Sequence, residues 1–230
     1  MSVKLFIIGL PGSGKSAIAR FINPYAKTKL FQSTEKHWST KRFNDFDHLN
    51  WMSKHPTEGK MFRPAEPEGF IMIDAIAADL ALQRLEVEVV GYISSNVNQN
   101  EIVIIEFARN DYRRAFKQLS QAFFQDAYFI YLGAEVETCK QRISRRVSNP
   151  TYPEDDYPVS DHIFESYYYG DDGKALAQIL EMYGVDEQRV RVIDNDGMEQ
   201  SIHGIIEEFI DLIISDGEID KPGETSSTYM

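Results

Sequence analysis

Residues 9–16 read Gly-Leu-Pro-Gly-Ser-Gly-Lys-Ser and follow the apolar run Val3-Lys4-Leu5-Phe6-Ile7-Ile8. Gly9, Gly14, Lys15 and Ser16 have the spacing with which a glycine-rich turn wraps an anion. The glycines, with Pro11 and Ser13 between them, allow successive main-chain N–H groups to converge on one point. A helix starting near Lys15 and continuing through Ala17 adds the positive end of its dipole. In this arrangement Lys15 reaches the β- and γ-phosphates of a nucleotide and the Ser16 hydroxyl ligates Mg²⁺. The flanking strand-like and helix-like runs favour this cradle over a chance match on an ordinary strand-to-helix turn.

Three further groups have chemistry-bearing types and spacing. Glu106 closes the run Ile102–Ile105, with Arg109 three residues on. At the end of a strand beside a phosphate loop, this carboxylate can order the waters of Mg²⁺ or take a proton from an acceptor. Arg109 can hold the acceptor or its phosphate; equally, Glu106 and Arg109 can form a plain strand-end ion pair. Arg142, Arg145 and Arg146 fall within one turn of a helix predicted from Glu135 to Arg146. They form either a solvated basic face or a clamp for phosphate charge developing in transfer. Finally, His37, Trp38, Arg42, Asp45, Asp47, His48 and Trp51 supply rings, charges and imidazoles on which a base or sugar could stack and bond, or which could pack a surface insertion.

The elements that must position these groups alternate. Strands are predicted at 3–8, 102–105, 128–132 and 190–193, each followed by a helical pattern. The first helix is expected to halt at Asn23-Pro24, with a short strand at 29–33. The second begins at Asp111, with Tyr112, Phe116, Leu119 and Phe123 on one face. The last carries Ile202, Ile205, Ile206, Phe209 and Ile213. Residues 70–93 read as one further helix with Ile73, Ile76, Leu80 and Val89 inward. This alternation predicts an α/β fold, a parallel sheet with helices on both faces. One domain is expected over 1–214, interrupted by a substrate insertion at 25–68 and a lid-like loop at 147–172, and followed by a flexible tail at 215–230.

The early phosphate loop, the long insertion, the acidic residue ending a middle strand and the arginine-rich helix before a Pro/Asp loop resemble the nucleoside and nucleoside monophosphate kinases, within the P-loop NTPases. The resemblance implies a three-layer α/β/α fold with about five parallel strands, a mobile lid, ATP with Mg²⁺ as donor and a small acceptor. It also implies that the loop Asp194-Asn195-Asp196-Gly197 packs on adenine through Asn195 or Gly197, although the same residues suit a helix N-cap turn. Monophosphate kinases usually carry Asp-Gly-Phe/Tyr-Pro-Arg where this chain has Glu-Phe-Ala-Arg, and deoxynucleoside kinases an acidic residue directly followed by Arg. The acceptor is therefore the least determined part of the expectation.

Composition narrows the classes. The chain has 230 residues, 43% of them hydrophobic, enough for a sizeable core, and a net charge of −12. That surface repels nucleic acid and anionic membranes, so a site for a polyanion must be a local basic island. A single cysteine, Cys139, excludes an internal disulfide and suits a reducing compartment. No leader pattern or ~20-residue apolar span is present, which predicts a cytoplasmic protein. The five histidines and the cysteine lack metal-ligand spacing, leaving Mg²⁺ carried by ATP as the expected metal. Without an Asn-Lys-x-Asp motif a GTPase is disfavoured. The expected function is ATP-dependent phosphotransfer to a nucleoside or nucleotide, with Lys15, Glu106, Arg109, Arg142, Arg145 and Arg146 catalytic and Trp38, Arg42, Asp45, Asp47 and Arg109 at the acceptor. A homodimer is compatible with this expectation. The rivals are an ATP-binding regulator or ATPase acting on a macromolecule, and a sugar, antibiotic or toxin-type phosphotransferase.

Overall fold

The apolar runs pair side by side. A computed structural model describes residues 2–34, 38–64, 69–97, 100–152, 159, 164, 168, 170–197 and 202–219. Five strands, β1 (Ser2–Gly9), β2 (Trp38–Asn44), β5 (Asn100–Phe107), β6 (Tyr128–Gly133) and β7 (Val190–Asp194), form one parallel sheet in the order β2-β5-β1-β6-β7. The three inner strands are buried on both faces, as expected of uninterrupted apolar sequence.

Helices cover both faces. On one, α1 (Lys15–Thr34) and α8 (His203–Ile219) bury Ile18, Ile22, Ile206, Phe209 and Ile213 against Leu5, Ile7, Ile104 and Ile130. On the other lie α3 (Ile76–Ser95), α4 (Tyr112–Phe116), α5 (Gln121–Phe124) and α7 (Leu176–Glu181), packed on Phe6, Val103, Ile105 and Phe129. Phe6 and Phe129 stack at 4.6 Å between adjacent strands. The arrangement is three-layer α/β/α, and register brings Gly9, Asn44, Glu106, Gly133 and Asp194 to one edge of the sheet. Ligands of open α/β sheets bind at this carboxyl edge.

Several local expectations are corrected. Helix α1 runs through Pro24 to Thr34, so no strand forms at 29–33. Proline costs an interior helix about 3 kcal/mol; fully buried Ile22 and Ala26, with Tyr25 bonded to Asp211 at 2.9 Å, offset it. The stretch 25–68 holds β2, an edge strand of the main sheet, rather than a pure insertion. The excursion that does leave the sheet is α2 (Asp45–Ser53) with the antiparallel pair β3 (Phe62–Pro64) and β4 (Phe70–Met72). It packs on α3 through Met52, Phe62, Ala77 and Ala81.

Residues 70–72 are strand and α3 starts only at Ile76; Ile73 and Ile76 face solvent, and the buried face is Ala77, Ala81, Leu82, Leu85 and Val89. The helix after Asp111 is two short pieces, yet Tyr112, Phe116, Leu119 and Phe123 are all buried. In α8, Ile205 is exposed while Ile206, Phe209 and Ile213 are buried, as is Ile202 just before it. That helix continues to Ile219, past the expected start of the tail; 220–230 lie outside the described residues, as does His37. Most of 147–172 also lies outside them, but Phe164 is buried with Leu10, Cys139 and Ile143. No described helix is long and apolar enough to cross a membrane.

Candidate functional site

The turn between β1 and α1 closes on itself through Ser13 N–H donating to Leu10 O at 3.1 Å. Its glycines are required. Gly12 has φ +80° and Gly14 φ +104°; a Cβ on Gly12 would lie 2.5 Å from the Cys139 carbonyl oxygen, and one on Gly14 2.6 Å from Asn195 Nδ2. The loop is thus pressed between α6 (Val136–Ser148) and the segment after β7, and Pro11, Gly12, Gly14, Lys15 and Ser16 line a cavity on its remaining side.

Lys15 is the first residue of α1, and its ammonium bends back to donate to Gly9 O at 2.9 Å and Leu10 O at 2.8 Å. Burial pushes its pKa down to about 8; the carboxylate of Glu106 opposes that shift, and the neighbouring charge of Arg146 adds to it. A part-buried cation whose hydrogen bonds go to two loop carbonyls is prepared to neutralise an arriving anion.

Ser16 Oγ lies 3.3 Å from Glu106 Oε2, joining the phosphate loop to the end of β5. Glu106 is 3% exposed, and burial raises its pKa against the opposing pull of Arg42 and Lys15. A hydroxyl and a carboxylate side by side are the hard-oxygen donors that Mg²⁺ prefers. Arg42, from β2, is on the same pair. Its Nη2 donates to Ser16 Oγ at 2.6 Å and to Glu106 Oε2 at 3.1 Å, and its Nε pairs with Glu106 Oε1.

Arg109 is placed differently from the expectation. At 5% exposure its Nη1 donates to Asp45 at 2.5 Å and to Ala108 O at 2.6 Å, and its Nη2 to Ala78 O at 2.8 Å. Asp45 is itself 5% exposed. The pair ties the start of α2 and the first turn of α3 to the end of β5, so Arg109 is committed to the scaffold rather than offered to a ligand. Its ion pair is with Asp45. Trp38 is a second correction. It is buried in the core at the amino end of β2, six residues, or about 20 Å, from Asn44 beside Glu106. Asp47 is exposed and serves the N-terminus of α2: its N–H donates to Asn44 Oδ1, and its carboxylate accepts from Asn44 Nδ2, both at 2.9 Å.

The arginines of α6 do come to the phosphate loop, with different partners. Arg142 Nη2 donates to the carbonyls of Asn195 at 2.7 Å and Gly197 at 3.1 Å, and so fixes the loop after β7. Asn195, 1% exposed, donates through Nδ2 to Ser13 O at 2.7 Å. Arg146 is half-buried and close enough to Lys15 to depress its pKa, whereas Arg145 is exposed. All three line a cavity of about 750 Å³ together with Pro11, Gly12, Gly14, Lys15, Ser16, Ala17, Asn195 and Gly197.

Among the basic residues of this wall, sequence reasoning missed Arg20, four residues after Ser16 on α1, whose guanidinium lies 4.0 Å from the centre of the Tyr152 ring. Its i+4 position was the available signal. Among the described residues, Lys15, Arg20, Arg142, Arg145 and Arg146 line the cavity with one carboxylate, that of Asp196. In a chain of charge −12 this is a basic island. Among the described residues no cluster of His, Cys, Asp and Glu suits a metal on its own.

Known structures share this architecture. Kti12 from Chaetomium thermophilum, solved in complex with ADP-AlF3, superposes with a TM-score of 0.53 at 14% identity, covering 91% of this chain and 98% of that one. An unliganded sugar kinase from a Janibacter species superposes with a TM-score of 0.50 at 13% identity, covering 92% and 95%. No protein-family model and no curated protein matches the chain. The chain shares with both the fold, a parallel sheet between two layers of helices.

Proposed function

We propose that the protein transfers the γ-phosphate of ATP to a small acceptor, with the cavity between the phosphate loop and α6 as the nucleotide site. The observation that carries this reading is that Lys15, the glycines of the loop and half-buried Arg146 line one basic cavity in an acidic protein. The loop amides and Lys15 hold the terminal phosphates. Ser16 and Glu106 hold the Mg²⁺ side of the nucleotide; Mg²⁺, when bound, draws charge from the phosphate oxygens. Glu106 orients that assembly or takes the acceptor's proton. Arg146 meets charge developing on the transferred group, and Arg142 works through the Asn195–Gly197 loop that borders the base. Closure over the cavity excludes the water that would otherwise take the phosphate.

The acceptor enters beside Asn44, Asp45 and α2, at the carboxyl end of β2. Because Arg109 is committed to Asp45 and two main-chain carbonyls, it does not serve as a phosphate grip. This favours a nucleoside or another hydroxyl compound over a nucleoside monophosphate. A second reading, nucleotide hydrolysis coupled to a macromolecule, is favoured by the likeness to Kti12, which was captured with a nucleoside diphosphate and a phosphoryl mimic.

One assay separates the two: ADP release from Mg²⁺·ATP with and without a panel of nucleosides, nucleotides and sugars, with Lys15→Ala as the blank. Acceptor-dependent release supports transfer. Acceptor-independent release supports hydrolysis. If calorimetry finds no binding of ATP or ADP, neither reading stands.

A further inference from the structure

Arg42 sits where the metal side of the site should be, and its geometry is specific. One guanidinium reaches both oxygens of Glu106 and, through Nη2, the hydroxyl oxygen of Ser16 at 2.6 Å. The planar fork of arginine matches a carboxylate in this two-point way, which a lysine cannot reproduce. Ser16 Oγ is also 3.3 Å from Glu106 Oε2, so the three groups form a closed triangle. The Glu106 side chain is only 4% exposed, and that of Arg42 is 29% exposed. The carboxylate is therefore shut in, while the arginine retains an open side toward solvent.

A hard divalent cation at this place would draw on the same two side chains, the Ser16 hydroxyl and the Glu106 carboxylate. Arg42 already uses both. Two positive groups on one buried carboxylate would also repel one another across a few ångströms of poorly screened space. Guanidinium and metal are alternative occupants of one seat.

We propose that Arg42 is a built-in counter-cation that holds the Ser16–Glu106 seat until a divalent metal displaces it. The inference rests on the reading of Ser16 and Glu106 as the metal-side residues. In the metal-free protein Arg42 neutralises Glu106 and keeps the hydroxyl oriented. When the metal–nucleotide complex arrives, Arg42 leaves by its exposed side, toward the end of β2 where the acceptor enters. Each metal ion bound must therefore displace the arginine, and this sets the metal concentration at which the site becomes competent.

The test reads metal binding rather than turnover. Arg42→Met keeps the length of the side chain and removes the charge; a thermal melt checks that the variant is folded. Free Mn²⁺ is followed by electron paramagnetic resonance during titration of each protein, alone and with ADP. Calorimetry gives the ADP affinity in EDTA and in Mg²⁺. Arg42→Met is expected to bind Mn²⁺ about tenfold tighter, both alone and with ADP, and to bind ADP more weakly in EDTA. The ratio of the ADP affinity in Mg²⁺ to that in EDTA then widens by about tenfold.

An arginine that only grips phosphate would weaken ADP binding equally in both conditions; an unchanged ratio with unchanged Mn²⁺ affinity overturns the proposal. If wild-type protein binds no ADP in any condition, the phosphotransfer reading fails. The Mn²⁺ titration without nucleotide still decides the role of Arg42, since equal affinity in the two proteins refutes it.

Discussion

Asn195 Nδ2 donates to the main-chain oxygen of Ser13 at 2.7 Å, and the same nitrogen stands 2.6 Å from where a Cβ on Gly14 would be. A side chain from the segment after β7 thus holds the phosphate loop from behind. Because Arg142 holds the carbonyl of Asn195 in turn, α6, the β7 segment and the loop form one braced unit.

Asn195→Ala is expected to loosen the loop without unfolding the protein. The lost hydrogen bond contributes about 1 kcal/mol, or about fivefold in affinity for ADP. Calorimetry reads the affinity, and a thermal melt should move little.

Gly14→Ala fails for two reasons that act together. The backbone at φ +104° disfavours any side chain, and the new methyl meets Asn195. Strain of about 1–3 kcal/mol is expected, which would weaken nucleotide binding by at least about fivefold. Adding Asn195→Gly should recover part of the loss, because it removes the collision and leaves the backbone strain.

Nucleotide binding should take up a proton. The free Lys15 pKa lies at about 8, and phosphate beside the ammonium raises it. Between pH 8 and the higher pKa of the complex, the complex holds more protons than the free protein. Affinity therefore falls as pH rises through 8, and is flat well below it. Calorimetry in buffers of different ionisation heat reads the uptake directly, and Lys15→Met should abolish it.

Arg109→Met is expected to act on stability. It leaves the Asp45 carboxylate buried without its partner, and breaking such a pair costs about 3–5 kcal/mol. Urea denaturation should show a large fall in midpoint. A raised acceptor KM with an unchanged midpoint would instead restore Arg109 as an acceptor grip.

Arg146→Ala and Arg142→Ala should separate. The first removes charge beside Lys15 and is expected to lower kcat by about 100-fold, the scale of a lost preorganised donor, with a small change in ADP affinity. The second frees the Asn195–Gly197 carbonyls and should weaken nucleotide binding more than it slows transfer. Steady-state kinetics and calorimetry on both variants check the split.

Much of the frame was legible in the sequence because its signals are local. The phosphate loop is one continuous stretch, and Ile102–Ile105 can hardly be anything but an inner strand. The helix bearing Arg142, Arg145 and Arg146 follows from spacing alone. What escaped is decided by partners distant in sequence. Strand β2, Trp-Ser-Thr-Lys-Arg-Phe-Asn, carries no apolar run, and pairing with β5 makes it a strand. Pro24 signals a stop, but α1 outlasts it because Ile22 and Ala26 are buried. The commitment of Arg109 depends on Asp45, 64 positions away, and the seat shared by Arg42 and Ser16 on Glu106. No periodicity encodes such pairs.

The chain's one thiol belongs to Cys139, fully buried on α6, with the residue's carbonyl directly against Gly12 and its pKa raised by burial to about 11. A disulfide reagent can reach that sulfur only when the packing of α6 on the turn residue Leu10 and on Phe164 separates. The protein thus carries its own stopwatch for that separation. A bound nucleotide, by spanning both pieces, should slow the labelling in proportion to how tightly it bridges them.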